Sequence, residues 1–109
     1  MRHEAMYYRT SDGLTYIDFQ FCNLGFMRGW RIYICSDIDY QYRDSSFQAT
    51  HRMRGDMDMD PYICWRGKIH TFAEAKAVAG LWGDVTSLYI NNGNGESFDD
   101  IARQLSKNR

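Results

Sequence analysis

A chain of 109 residues with a formal net charge of −1, from 13 basic and 14 acidic side chains, has no bulk attraction for a polyanion such as DNA or an acidic membrane. At 44% hydrophobic and 25% charged it has ordinary globular usage, and its length predicts a single domain, 1–109, around one core. No apolar run approaches the roughly 18 to 20 residues that span a bilayer, and MRHEAMYYR lacks the apolar middle of a signal peptide, so a cytoplasmic protein with no membrane partner is expected.

Cys22, Cys35 and Cys64 are odd in number and match no C-x-x-C pattern, which fits three buried thiols in a reducing compartment. Aromatics reach 16%, with eight tyrosines and six phenylalanines. They suit a sheet surface and also a protein-binding face, where tyrosine and tryptophan are enriched.

In chain order, AMYYR and LTYIDFQF flank TSDG, whose Asp12-Gly13 is a hairpin signal. In the second strand Thr15, Ile17, Phe19 and Phe21 share one face, and Leu14, Tyr16, Asp18 and Gln20 the other. CNLGFMRG reads as a connection, and WRIYICS as a strand with Trp30, Ile32 and Ile34 on one side. Residues 36–46 are polar and read as a loop or frayed edge. FQATHRMR then alternates: Phe47, Ala49, His51 and Met53 oppose Gln48, Thr50, Arg52 and Arg54, the pattern of a sheet covered on one side. YICWR is a short fifth strand.

The period then changes. Thr71-Phe72-Ala73-Glu74 is a capping box, with the threonine oxygen on the amide three residues on and the glutamate reaching back. Ala75, Val78, Trp82, Val85 and Tyr89 form one stripe, widened by Leu81 and Leu88, with Lys76, Gly80, Asp84 and Ser87 opposite. Gly80 and Gly83 together cost the helix about 2 kcal/mol against alanine, and off the stripe they predict a local weakness or the approach of a partner. Asn91-Asn92-Gly93 is a stop signal, and Ser97-Phe98-Asp99-Asp100 opens a shorter helix that docks through Phe98, Ile101 and Leu105.

The expectation is an α+β domain: an antiparallel sheet of four or five strands, one main helix from about 72 to 91 on one face, and a short C-terminal helix. Trp82, Val85, Ile32, Ile34, Phe19 and Ile17 should be core.

The most unusual stretch is RMRGDMDMDP. Read as an EF-hand from Asp56, it supplies oxygen ligands at positions 1, 3 and 5 through Asp58 and Asp60. Pro61 then stands where the turn glycine belongs and Gly67 where the bidentate glutamate belongs, so no metal is expected. The carboxylates repel one another and stay solvated or await a cationic partner. Arg54-Gly55-Asp56 spells an integrin-type tripeptide, read here as chance. His3, His51 and His70 form no i,i+4 pair, and Cys64 with His70 lacks the ligand pairing of structural zinc.

For catalysis, Cys64 or Cys35 with His51 is conceivable on neighbouring strands, but there is no G-x-S-x-G elbow and no phosphate-cradling loop ahead of a helix. No enzyme and no cofactor are expected. Arg28-Gly29-Trp30-Arg31-Ile32-Tyr33 begins like the RNP1 strand of RNA-recognition domains, then places Ile32 and Cys35 where stacking aromatics belong. A basic patch of Arg31, Arg52, Arg54, Arg66 and Lys68 across adjacent strands makes nucleic-acid binding the alternative function.

The segment YICWRGKIHTFAEAKAVAGLWGDVTSLYI, a short aromatic strand leading through a capped turn into a tryptophan-bearing helix, resembles small accessory proteins encoded by phages and conjugative elements of gut Firmicutes. The whole profile is similar to that of anti-CRISPR proteins: about a hundred residues, many aromatics, acidic clusters and no catalytic motif. The resemblance implies a non-enzymatic protein-binding module in a bacterial cytoplasm. Its partner would be a CRISPR effector nuclease, blocked in DNA binding or cleavage. With a net charge of −1, only a local acidic surface is available for this. No site residue is carried over from the family. From the two aspartate-rich loops themselves, the expected partner-binding residues are Asp56, Asp58 and Asp60, with Asp37, Asp39, Tyr40 and Tyr42.

Overall fold

The structure, a computed structural model, describes residues 4–56, 59–91 and 94–108. Among the described residues five strands come first: β1 (Glu4–Arg9), β2 (Tyr16–Asn23), β3 (Trp30–Ile34), β4 (Arg52–Met53) and β5 (Tyr62–Ile63). Two helices follow, α1 (Phe72–Asn91) and α2 (Phe98–Lys107). The strands make one antiparallel sheet in the order β1-β2-β3-β5-β4, so the fold is α+β as the patterning predicts. Among the described residues no helix is long and apolar enough to cross a membrane.

Alternation decides which face is covered. Ile17, Phe19 and Phe21 are fully buried, and the register sets Phe19 opposite Ile34 and Phe21 opposite Ile32. Against this face lies the predicted stripe of α1, with Ala75, Val78, Trp82, Val85 and Tyr89 all buried. Phe19 meets Trp82 edge-on with ring centroids 6.1 Å apart, and Phe21 meets Phe72 at 5.2 Å. Such pairs add about 0.5–1.5 kcal/mol to the area they bury. All six core residues expected from the sequence are buried.

The caps form largely as read. Thr71 Oγ1 accepts from the Glu74 amide at 3.0 Å, while the glutamate reaches one residue further back, to the His70 amide at 3.3 Å. Ser97 caps α2 through the Asp100 amide at 3.1 Å. Helix α1 ends at Asn91, and Asn92 and Gly93 lie outside the described residues. On α2, Phe98 and Ile101 are buried and Leu105 packs against the core.

Two expectations are corrected. Residues 47–50 are a turn, not a strand, and β4 keeps only Arg52–Met53. The Thr50 amide and hydroxyl both donate to the Ser46 carbonyl, at 3.1 and 2.8 Å, and the Arg52 amide donates to Phe47 O at 2.9 Å. These local bonds coil the chain, since serine and threonine offer the backbone an alternative to a ladder. Trp82 Nε1 then donates to Thr50 O at 3.1 Å and fastens the turn to α1.

The second correction concerns the back of α1. Lys76 is exposed, but Gly80, Gly83, Asp84 and Ser87 are buried under β1 and the β1–β2 turn. Their spacing of three, four and seven gives a second contact stripe, made of small and polar residues. The Tyr8 ring lies across the glycines: a Cβ at Gly83 would sit 3.2 Å from Tyr8 Cδ2, and one at Gly80 3.4 Å from its hydroxyl. The glycines therefore admit a strand side chain to the helix surface and are not a weak point. Asp84 accepts from Tyr8 Oη at 2.9 Å and from the Ser11 amide and hydroxyl, both at 2.7 Å. Ser87 Oγ bonds Thr15 Oγ1 at 2.7 Å and donates to Asp12 Oδ1 at 2.9 Å. Buried polar groups must be satisfied, and here the hairpin turn does it.

Candidate partner-binding surfaces

The strand order sends three connections to one end of the sheet. The β1–β2 turn, residues 10–15, lies there, with Gly13 at φ +75° and Asp12 Oδ1 accepting from the Leu14 amide at 3.0 Å. Segment 35–51 leaves β3 at the same end, where the Cys35 amide donates to Asp18 O and Ser36 Oγ accepts from the Asp18 amide. The β4–β5 connection arrives there too, because the Ile34 amide donates to Pro61 O at 2.8 Å. Helix α1 also runs toward this end and brings the partial negative charge of its C-terminus.

Asp37 and Asp39 are therefore exposed at the end where Asp56 and Asp60 enter. They line a groove of about 220 Å³ with Leu14, Tyr16 and Asn91. Asp39 Oδ1 accepts from the Gln41 amide at 2.8 Å and holds Gln41 at φ +55°. Asp56 is exposed, and its carbonyl accepts from the Met59 amide at 2.8 Å. Gly55 admits the Asp60 carbonyl, since a Cβ there would lie 2.4 Å from Asp60 O. Asp60 is half-buried, and Asp58 lies outside the described residues.

The two tyrosines of the other loop separate. Tyr42 is 86% exposed, whereas Tyr40 is 4% exposed and belongs to the core. The Tyr40 ring sits edge-on to Tyr89 at 6.3 Å, with the Arg52 guanidinium 4.9 Å from its centroid. Burial pushes the Tyr40 phenol above its ordinary pKa, against the pull of Arg52. Tyr40 therefore anchors the loop and is not a contact. The alternation Asp37-Ile38-Asp39-Tyr40, with Ile38 also packed on the core, was the available signal.

The arginine patch divides as well. Arg52 donates to Thr50 Oγ1 and Ser45 O, at 2.8 and 2.7 Å, and stacks on Phe47, while Arg54 lies over the same ring at 5.1 Å. Those two serve the loop. Arg31 lies over Tyr62 at 4.2 Å. Burial works against its charge, but the hydrogen bond to Tyr33, the Tyr62 and Tyr33 phenols and the Asp56 carboxylate raise its pKa overall. Arg31 and Lys68 line one groove with Arg28 and Trp65, residues the strand-face reading did not join to them, and it runs from Met53 and Tyr62 to the β2–β3 turn. The RNP1-like fragment does not present a stacking strand. Gly29 is in the preceding turn at φ +77°, Ile32 and Tyr33 are buried, and Trp30 leans on Phe72 at 5.2 Å.

Backbone pairing brings Cys64 beside His51, its amide donating to His51 O at 2.8 Å. The imidazole turns the other way: it stacks on Phe98 at 5.3 Å and hydrogen-bonds Asp99 through Nε2. It fastens α2 to the turn before β4. Comparison with family models, with curated proteins and with solved structures found no match to this chain.

Proposed function

We propose that this chain is a non-enzymatic protein-binding module that docks by the acidic end of its sheet onto a cationic surface. The partner we propose is a CRISPR effector nuclease, whose DNA binding or cleavage it blocks inside a bacterial host. The observation that carries the reading is the convergence of the carboxylate-bearing connections at one end, with Asp37 and Asp39 exposed beside the β1–β2 turn and Asp56 on the adjoining hairpin. A nuclease groove built for DNA is lined with lysine and arginine. Carboxylates on short, internally bonded turns can meet such a groove with little ordering cost. Charge complementarity of this kind speeds encounter and rejects neutral partners. Tyr42, exposed on the same loop, is the aromatic anchor such an interface favours.

The test is a DNA-cleavage assay with a panel of purified, guide-loaded CRISPR effector nucleases. Asp37→Asn, Asp39→Asn, Asp56→Ser, Asp58→Ser and Asp60→Ser are combined in one variant, with its melting checked against the parent. Inhibition by the parent that weakens at least tenfold in the variant and falls with added salt supports the reading. Parent protein that leaves every nuclease uninhibited defeats the nuclease assignment, and equal inhibition by the variant removes the acidic end from it.

A further inference from the structure

We infer that the groove at the basic end of the sheet binds a nucleotide unit, with a planar base stacked on Trp65 and a phosphate held by Arg28 and Lys68. The groove extends from Met53 and Tyr62 to the β2–β3 turn, away from Asp37 and Asp39, and the inference does not rest on the function proposed for the acidic loops.

The groove has a volume of about 270 Å³, and Arg28, Trp30, Arg31, Tyr62, Trp65 and Lys68 are among its lining residues. None of the described lining residues is acidic. Two loops make its lips: the β2–β3 turn, carrying Arg28, and the connection from β5 to α1, carrying Trp65 and Lys68. The lips are tied. The Trp30 amide donates to Ile69 O at 2.9 Å and Lys68 Nζ to Phe26 O at 3.2 Å. Gly29 makes the approach possible, because a Cβ there would lie 2.3 Å from Ile69 O. A groove held this way is formed before any ligand arrives, which lowers the ordering cost of binding.

Its chemistry selects the ligand. Trp65 is 43% exposed and lines the groove, so part of its indole is open to a ligand. Base stacking on such a ring tolerates any base, because every base has a π face. Arg28 is exposed, and its side chain makes no hydrogen bond or ion pair with the described residues, so its charge is available to a phosphate. Arg31, stacked on Tyr62, supplies a fixed positive floor. A free mononucleotide and a residue of a single strand offer the same base and phosphate.

The experiment is tryptophan fluorescence titrated with thymidine monophosphate and, separately, with an oligothymidylate of roughly 12 nucleotides, in about 50 mM salt. Trp82 is buried in the core, so quenching reports the groove. Saturable quenching by the monophosphate supports the site and identifies a free nucleotide. Quenching by the oligomer alone supports it and identifies a strand. Trp65→Ala should weaken oligomer or nucleotide binding about tenfold, and Trp65→Phe should recover most of that loss. Binding by Trp65 variants is followed by anisotropy of labelled ligand. Arg28→Ala with Lys68→Ala should flatten the salt dependence for the oligomer by about 1.4 in log–log slope. Lys107→Ala, on α2, is the matched control. No saturable signal with either ligand, or equal binding by all variants, overturns the inference.

Discussion

The Tyr8 hydroxyl donates across 2.9 Å to the carboxylate of Asp84, joining the edge strand β1 to the buried back of α1. Tyr8→Phe keeps the ring on Gly80 and Gly83 and removes one donor from a carboxylate that is 3% exposed. A loss of about 1–3 kcal/mol is expected in urea denaturation, the cost of under-satisfying a buried charged group.

Gly83→Ala should destabilise the native chain, because the new methyl meets a Tyr8 ring carbon at 3.2 Å. In a Tyr8→Ala background the same change should become stabilising by up to about 1 kcal/mol, the helix-propensity gain of alanine. A double-mutant cycle reads the sign change, and a Gly83→Ala effect that is the same in both backgrounds would mean that Tyr8 is not the obstacle.

Burial of Asp12 works against its charge, yet hydrogen bonds from Thr10, the Leu14 amide and Ser87 outweigh it and hold the carboxyl below the usual aspartate range. Because the folded pKa is the lower one, the stability it contributes is complete above the unfolded value of about 3.9 and is lost as pH falls through the folded value. Thermal melts of the parent and of Asp12→Asn should therefore differ most near neutral pH and converge in acid.

Gly29→Ala should cost at least about 2 kcal/mol, since it combines a left-handed backbone with a Cβ pressed on Ile69 O. Gly67→Ala shares the positive φ but opens into free space, and should cost about 1–2 kcal/mol. Chemical denaturation of the two variants side by side measures the part due to close approach.

Ser97→Ala removes the cap from α2 and should cost about 1 kcal/mol. Faster amide hydrogen exchange should appear first at Asp100, whose amide donates to the Ser97 hydroxyl.

Strands β1 to β3 and both helices were legible along the chain because their signals are local: period two in TYIDFQF, the capping box at Thr71, the stripe from Ala75 to Tyr89. FQATHRMR misled for the same reason, since a strand's alternation and a turn's internal bonds compete over the same residues, and Ser46 with Thr50 favoured the turn. The aspartates could be picked out as a group by composition. That Asp37 and Asp39 share an end of the sheet with Asp56, while Tyr40 turns inward, depended on strand order and on Tyr89 waiting 49 positions further along the chain.

Sequence by itself determined the classes of element and the apolar face of each, because side-chain period follows from backbone geometry alone. Only the tertiary structure decided what lies on the back of α1 and which charges became neighbours. Gly80, Gly83, Asp84 and Ser87 read as a solvated face until the β1–β2 hairpin covers them, and nothing within the helix specifies that cover. Arg28 and Lys68 face a common groove because a glycine lets two loops touch. Those contacts depend on chain paths distant in sequence, which local periodicity does not encode.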